Sequence, residues 1–197
     1  LQRVELAVAE RRLFAPGQKI LVAVSGGMDS MVLLAVLQAL AARHRWRLLA
    51  AHFNHRLRGR ASDADERLVR RTAARLGLDC VVAGADVKAV AARSGLSLEM
   101  AARKLRHEFF ARAAQKRKIK TIALAHHADD QVELFFLRRL RGAGGEGWAG
   151  MKWRSPSPAD KTISLIRPLL DFSKNDSEEF ARENKIRGLR LWTVDYV

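Results

Sequence analysis

The chain has 197 residues, 48% of them hydrophobic, which suits one α/β domain with a sizeable core and excludes global disorder. Lys and Arg number 36 against 21 Asp and Glu, a formal charge of +15. A surface that meets a polyphosphate backbone explains that excess, although a basic solubility surface gives the same count. The single cysteine, Cys80, excludes an internal disulfide and a cysteine-built zinc cluster, and no apolar stretch reaches membrane-spanning length, so a reduced, cytoplasmic setting is expected.

Strands and helices alternate along the chain. LQRVELAVAERRLF carries Val4, Ala7, Val8 and Leu13 at loosely helical spacing and ends at Pro16-Gly17. KILVAV (19–24) reads as the first strand, and MDSMVLLAVLQALAA after it as a helix apolar almost all round, hence buried. LLAAHF (48–53) is a second strand. Ser62 with Asp65 three residues on resembles a capping box opening a helix to Leu76, and 79–84 is a third strand in which Cys80 reads as a buried structural thiol. Residues 97–118 form a long helix with Leu98, Ala101, Ala102, Leu105, Phe109 and Ala113 on its core stripe and Arg103, Arg106 and Arg112 opposite. TIALAH (121–126) is the fourth strand, followed by the helix ADDQVELFFLRRL, a glycine-rich loop 142–150, a turn at SPSPAD (155–160), a fifth strand within ISLIRPLL (163–170) and a last helix over 173–185. The expected fold is therefore α/β: a doubly wound, mostly parallel, five-stranded sheet with helices on both faces, forming a single domain over 1–197 with a small helical extension from about 171. Ligands of such sheets bind at the carboxyl ends of the strands, which gathers 25–30, 52–58 and 126–133.

SGGMDS (25–30) is the sharpest signal. Gly26 and Gly27 allow a tight turn and close approach to a ligand, and the helix start offers unpaired N–H groups to phosphate. Ser25 and Ser30 add hydroxyls, and Asp29 fits beside phosphate when Mg²⁺ bridges the two. An ordinary capped turn accounts for one Gly and one Ser but not for the hexapeptide. No Gly-Lys dipeptide occurs, so a Walker A loop is absent, and GAGGEG (142–147) matches G-x-G-x-x-G only by letter, since it follows a helix.

SGGMDS resembles the PP-loop signature of the N-type ATP pyrophosphatases, which adenylate a carbonyl oxygen, release pyrophosphate and admit a nucleophile. AHFNHRLRG (51–59), SLEMAARKLRHEFF (97–110), HHADDQVELFFLRRLRGAGGEGWAGM (126–151) and IRPLLDFSK (166–174) are similar, in order, to blocks of the tRNA(Ile)-lysidine synthetase family. The resemblance implies ATP and Mg²⁺, L-lysine, and the anticodon loop of an isoleucine tRNA, whose wobble cytidine is adenylated and then takes the lysine. It implies that Ser25, Gly26, Gly27, Asp29, Ser30, His52, Asn54, His55 and Arg106 border the ATP. It places Asp130 and Glu133 on the lysine amino group, and His126 or His127 near the reacting centre. Arg103, Arg138, Arg139 and Arg141 would then face the RNA. Each has a plainer reading: carboxylates of 129–133 as helix caps or part of a metal cluster, His52 to Arg58 as a surface loop, the arginines as a solvated face, and Trp148 as a loop anchor and not a base-stacking ring. The likeness ends at Trp192, Asp195 and Tyr196-Val197, short of the family's Asp/Ser/Asn-rich motif, so the RNA-binding domains of longer members are expected to be absent from this chain. The competing expectations are a PP-loop tRNA thiolase, which one cysteine disfavours, and a non-catalytic RNA-binding protein of the same fold. Oligomeric state is left open.

Overall fold

The computed structural model describes residues 1–140 and 150–186. Its elements in chain order are α1 (Gln2–Glu10), β1 (Lys19–Ala23), α2 (Met28–His44), β2 (Arg47–Asn54), α3 (Arg60–Arg75), β3 (Asp79–Gly84), α4 (Val87–Ser94), α5 (Leu98–Lys116), β4 (Thr121–Ala123), α6 (Ala128–Leu140), β5 (Arg154–Pro156), β6 (Ser164–Ile166) and α7 (Lys174–Glu183). The strands form one sheet in the order β3-β2-β1-β4-β6-β5. All pairings are parallel except β5 with β6.

Successive strand side chains point to opposite faces, and both faces are apolar. Ile20, Val22, Val24, Ala50, Ala123 and Ile166 join the core shared with α1, α2, α3 and α7. Leu21, Ala23, Leu49, Ala51, Phe53, Ile122 and Leu165 join the core shared with α4 and α5. The sheet is therefore doubly wound, as the alternation of strands and helices predicts. The chain runs outward from β1 through β2 to β3, then returns to place β4 on the other side of β1. The reversal opens a crevice at the carboxyl ends of β1 and β4.

Several expectations change. The sheet has six strands, not five: Arg154–Pro156, whose last two residues fall in the expected 155–160 turn, pairs antiparallel with β6, and Ser157 N–H donates to Ile163 O at 2.8 Å to close the hairpin. Three residues without an apolar alternation carry no period of their own, so pairing alone makes them a strand. Helix α4 is passed over by periodicity because eight residues give little more than two turns; Asp86 caps it, accepting from Ala89 N–H at 3.0 Å. Ser62 and Asp65 do not make a capping box. Helix α3 begins earlier, at Arg60, with Gly59 at its N-cap (φ 51°), and Ser62 Oγ instead accepts from Arg58 N–H. The buried side of α5 holds Ala101, Ala102, Phe109, Phe110 and Ala114 and also His107, whereas Leu98, expected there, is 38% exposed. Cys80 is half-buried on edge strand β3, where burial pushes its thiol up. Among the described residues no helix is long and apolar enough to cross a membrane.

Helix α5 carries Arg103, Arg106 and His107 to the crevice, and its start is fixed by Ser97, whose Oγ accepts from Met100 N–H at 3.2 Å. Ser97→Ala is expected to lower the unfolding free energy by about 1 kcal/mol, as loss of an N-cap hydroxyl does; urea denaturation followed by circular dichroism checks it.

Candidate active site

Four strand ends meet around one cavity of about 250 Å³. Residues 25–30 follow β1, His52 to Arg58 follow β2, His126 to Asp130 follow β4, and Arg167 follows β6. Helix α5 closes the side with Ala102, Arg103, Arg106, His107 and Phe110.

The turn after β1 is held by its own hydroxyls. Ser30 Oγ donates to Gly27 O at 2.9 Å and accepts from Ser25 N–H at 3.1 Å. Ser25 Oγ accepts from Gly27 N–H at 3.2 Å and lies 3.1 Å from Ser30 Oγ, to which it donates. Gly26 adopts φ +94°, and a Cβ there would meet Asp65 Cβ at 3.2 Å, so both conformation and space call for glycine. Helix α2 then starts at Met28 with no side-chain cap, unlike α4, α5 and α7, which Asp86, Ser97 and Ser173 cap. The first-turn N–H groups of α2 are left for an anion from the cavity. Asp29 stands in that turn; its Oδ1 is buried without a hydrogen-bond partner. A buried carboxylate oxygen beside a phosphate cradle suits a hard cation shared with the phosphate oxygens. Among the described residues no group of three or more His, Cys, Asp and Glu side chains is arranged to hold a metal alone.

The β2 end divides its work. His52 Nδ1 donates to Val24 O at 2.8 Å, which ties β2 to the β1 turn, and burial pushes its pKa down. Its Nε2 is then an acceptor, buried and without a partner. His55 packs edge-on against Phe53 and is pushed down to about 4 by burial and by Arg106. Asn54 is occupied locally: Oδ1 accepts from Arg56 N–H at 2.9 Å, and Nδ2 donates to Asp63 and Glu66 at 3.2 Å each. Asp65, which the sequence places in a cap, is 4% exposed in the cavity wall, paired to Arg58 at 2.7 Å, with its carboxyl pushed up by burial.

At the β4 end, two adjacent histidines behave oppositely. His126 Nδ1 accepts from Arg167 Nε at 3.1 Å, and burial with Arg167, Arg106 and Arg103 pushes its pKa down to about 3. His127 is also buried, but Nε2 lies 3.6 Å from both Asp29 and Asp130 and Nδ1 3.5 Å from Asp129; the three carboxylates outweigh burial and raise its pKa. Asp130 lines the cavity and its Oδ2 accepts from His127 N–H at 2.8 Å, the capping bond of α6. Asp129 serves a different helix, accepting from Lys174 N–H at the start of α7. The cap reading of these acids is thus realised by both, and Asp130 also faces the cavity.

The remaining expected residues are dispersed. Arg106 and Arg103 line the cavity, the first half-buried and the second exposed. Glu133 is exposed on α6, one turn beyond Asp130, and does not line the cavity. Arg139 is exposed on α6; the Arg138 side chain, Arg141, Trp148 and nearly all of the 142–150 loop lie outside the described residues, as do Trp192, Asp195, Tyr196 and Val197. Sequence reading misses Arg167, His107 and Asp65. Arg167 directly follows a strand, so the rule that pointed to three strand ends also points to it. His107 and Asp65 lie in helices and carry no such signal.

A family model described as the PP-loop domain matches residues 2–195. The tRNA(Ile)-lysidine synthase of Geobacter sulfurreducens is 43% identical over 180 residues, which are 91% of this chain and 37% of that protein. The tRNA(Ile)-lysidine synthase of Clostridium tetani is 37% identical over 172 residues, 87% of this chain and 36% of that protein. The chain thus spans a little over a third of the length of these curated relatives. Among solved structures, a U34-tRNA thiolase from Methanococcus maripaludis has the same fold, with a TM-score of 0.75 at 15% identity over all of this chain and 66% of that one.

His107 is pushed down to about 4, by burial first and then by Arg106, Arg103 and Arg167. A histidine held below its ordinary 6.5 stabilises the fold above pH 6.5, and that stability is lost as pH falls towards the lowered value. The unfolding free energy should therefore decline between pH 6.5 and about pH 4, and His107→Gln should reduce the proton uptake on unfolding by one over that window. Urea denaturation across the pH series measures both.

Proposed function

The chain belongs to the PP-loop domain family, and on that premise we propose that it is the catalytic part of a tRNA(Ile)-lysidine synthase, adenylating the wobble cytidine of an isoleucine tRNA and joining lysine to it in the cytoplasm. The observation that carries this reading is the uncapped start of α2, open to a cavity that also holds an acidic end at Asp29 and Asp130 and an arginine wall at Arg103, Arg106 and Arg167. The chemistry needs those three features: a seat for a triphosphate, a place for a cationic amine, and counter-charge for phosphate and RNA.

In this reading the ATP phosphates lie on the α2 amides and the 25–30 turn, with His52, His55 and Arg106 in the surrounding wall. Asp29 would hold Mg²⁺, which would supply counter-charge to the phosphate oxygens. Asn54, whose Nδ2 donates to Asp63 and Glu66 and whose Oδ1 accepts from Arg56 N–H, would shape the β2 loop at the cavity wall and keep one acceptor site on Oδ1 for the nucleotide. The cytidine oxygen attacks the α-phosphorus, the bond to pyrophosphate breaks, and the lysine amine then displaces AMP from the activated carbon. Asp130, with Glu133 next along α6, attracts the lysine amino group. Arg103 meets the RNA backbone, and by their place in the sequence Arg138, Arg139 and Arg141 would join it. A thiolase would need a sulfur carrier at the site, and Cys80, the only cysteine, sits on edge strand β3 and does not line the cavity.

Purified protein with ATP, radiolabelled lysine and bulk tRNA should place label in tRNA only when ATP is present; sulfur incorporation in place of lysine would overturn the reading. Asp29→Asn should cut turnover by about 10²–10³-fold, while circular dichroism stays unchanged, because the side chain is one carboxylate of the first helical turn and not part of the core.

A further inference from the structure

Arg167 is 8% exposed, and a guanidinium is costly to bury unless each donor finds a partner. Its Nη1 donates to Lys152 O at 2.8 Å and to Ser155 Oγ at 3.0 Å, and its main-chain N–H donates to Trp153 O at 3.0 Å. The antiparallel hairpin of β5 and β6 therefore seats the side chain. Its Nε is aimed at His126 Nδ1, 3.1 Å away. Arginine has no acceptor and keeps all its protons, so the imidazole must accept with a bare Nδ1, and the proton of the neutral ring sits on Nε2. Among the described residues Nε2 makes no hydrogen bond, and the ring lines the cavity.

We propose that Arg167 is a positioning residue that locks His126 as the neutral tautomer with its proton on Nε2, so that the ring donates one hydrogen bond to a phosphoryl or carbonyl oxygen of the substrate and does not act as a base. The charged groups facing the ring agree with this. Arg167 after β6 and Arg103 and Arg106 on α5 all oppose a second proton on His126, as does neighbouring His127, and burial opposes it most. A neutral N–H donor spends no reorganisation as charge develops on a substrate oxygen. The lock belongs to the ligand-free chain; only its kinetic consequence rests on the lysidine reading.

Histidine ¹⁵N-labelled protein, with His126 assigned by loss of its signals in His126→Gln, tests the lock directly through long-range ¹H–¹⁵N correlations. Nδ1 of His126 should be unprotonated and Nε2 protonated, unchanged from about pH 8 to about pH 5. In Arg167→Met the ring should mix tautomers and titrate nearer the ordinary histidine value. A proton on Nδ1 in the wild type, or titration near 6.5, overturns the proposal, as does an unaltered ring pattern in Arg167→Met. In lysidine formation Arg167→Met should lower kcat by up to about 100-fold with KM for ATP little changed, and Arg167→Lys, which keeps one donor, should recover part of it. The double variant with His126→Gln should be no slower than His126→Gln alone, because both changes remove one interaction. Multiplied losses, or a raised KM and lowered Tm with unchanged kcat, would mean a merely structural arginine. A wild type that makes no lysidine sinks the lysidine reading, and the ring-nitrogen pattern still decides the lock.

Discussion

The site depends on the start of α2, which, like the starts of α1 and α3, receives no side-chain cap and which opens on the cavity. Helices α4, α5 and α7 receive a side-chain oxygen at their first turn, and α2, the most deeply buried helix, does not. Gly27 at the N-cap has no side chain to offer, and the hydroxyls on either side of it, Ser25 and Ser30, bond to each other and to the turn backbone. The turn is thereby stiffened without consuming the α2 amides. Gly26, at φ +94° and pressed against Asp65, makes the geometry possible, and His52 ties the same turn to β2 through Val24 O. Rigid support around unfilled donors is what preorganised anion binding requires, since no donor must be freed when phosphate arrives.

Charge is segregated across the cavity, and the His126-His127 pair marks the boundary. The two residues are adjacent in the short connection between β4, which ends at Ala123, and α6, which begins at Ala128. One faces three arginines and is held neutral; the other faces three carboxylates and gains proton affinity. A strongly basic chain thus keeps a local acidic pole. Without it, the field of the surface would repel an amine substrate.

Much of this was legible in the sequence. Short apolar runs gave five of the six strands, and SGGMDS after the first of them gave the tight turn that opens α2 onto the cavity. What escaped detection depended on partners distant in the chain. Strand β5 exists because β6 pairs with it, Asp65 reaches the cavity because α3 begins two residues before Ser62, and His107 is buried because α5 turns a polar position inward. The split between Asp129 and Asp130 was equally invisible: two identical side chains cap two different helices, one of them 45 residues away. Arg167 is the instructive miss, because the strand-end rule covers it. Its seat, however, is made by the strand the pattern could not show.

Fold likeness alone does not choose a reaction here. A structure sharing this topology at a TM-score of 0.75 is a tRNA thiolase, and at 15% identity the likeness speaks to the scaffold only. The phosphate turn is what a PP-loop scaffold supplies; the nucleophile is chosen by what stands across from it. A sulfur nucleophile calls for a thiol with room to react, and Cys80 is half-buried on an edge strand with its thiolate disfavoured. An amine calls for carboxylates to concentrate a cation, and Asp130 stands in the cavity wall within 3.6 Å of the one histidine there whose proton affinity is raised. The acidic pole therefore supports the proposed amine acceptor in a way that the shared turn cannot.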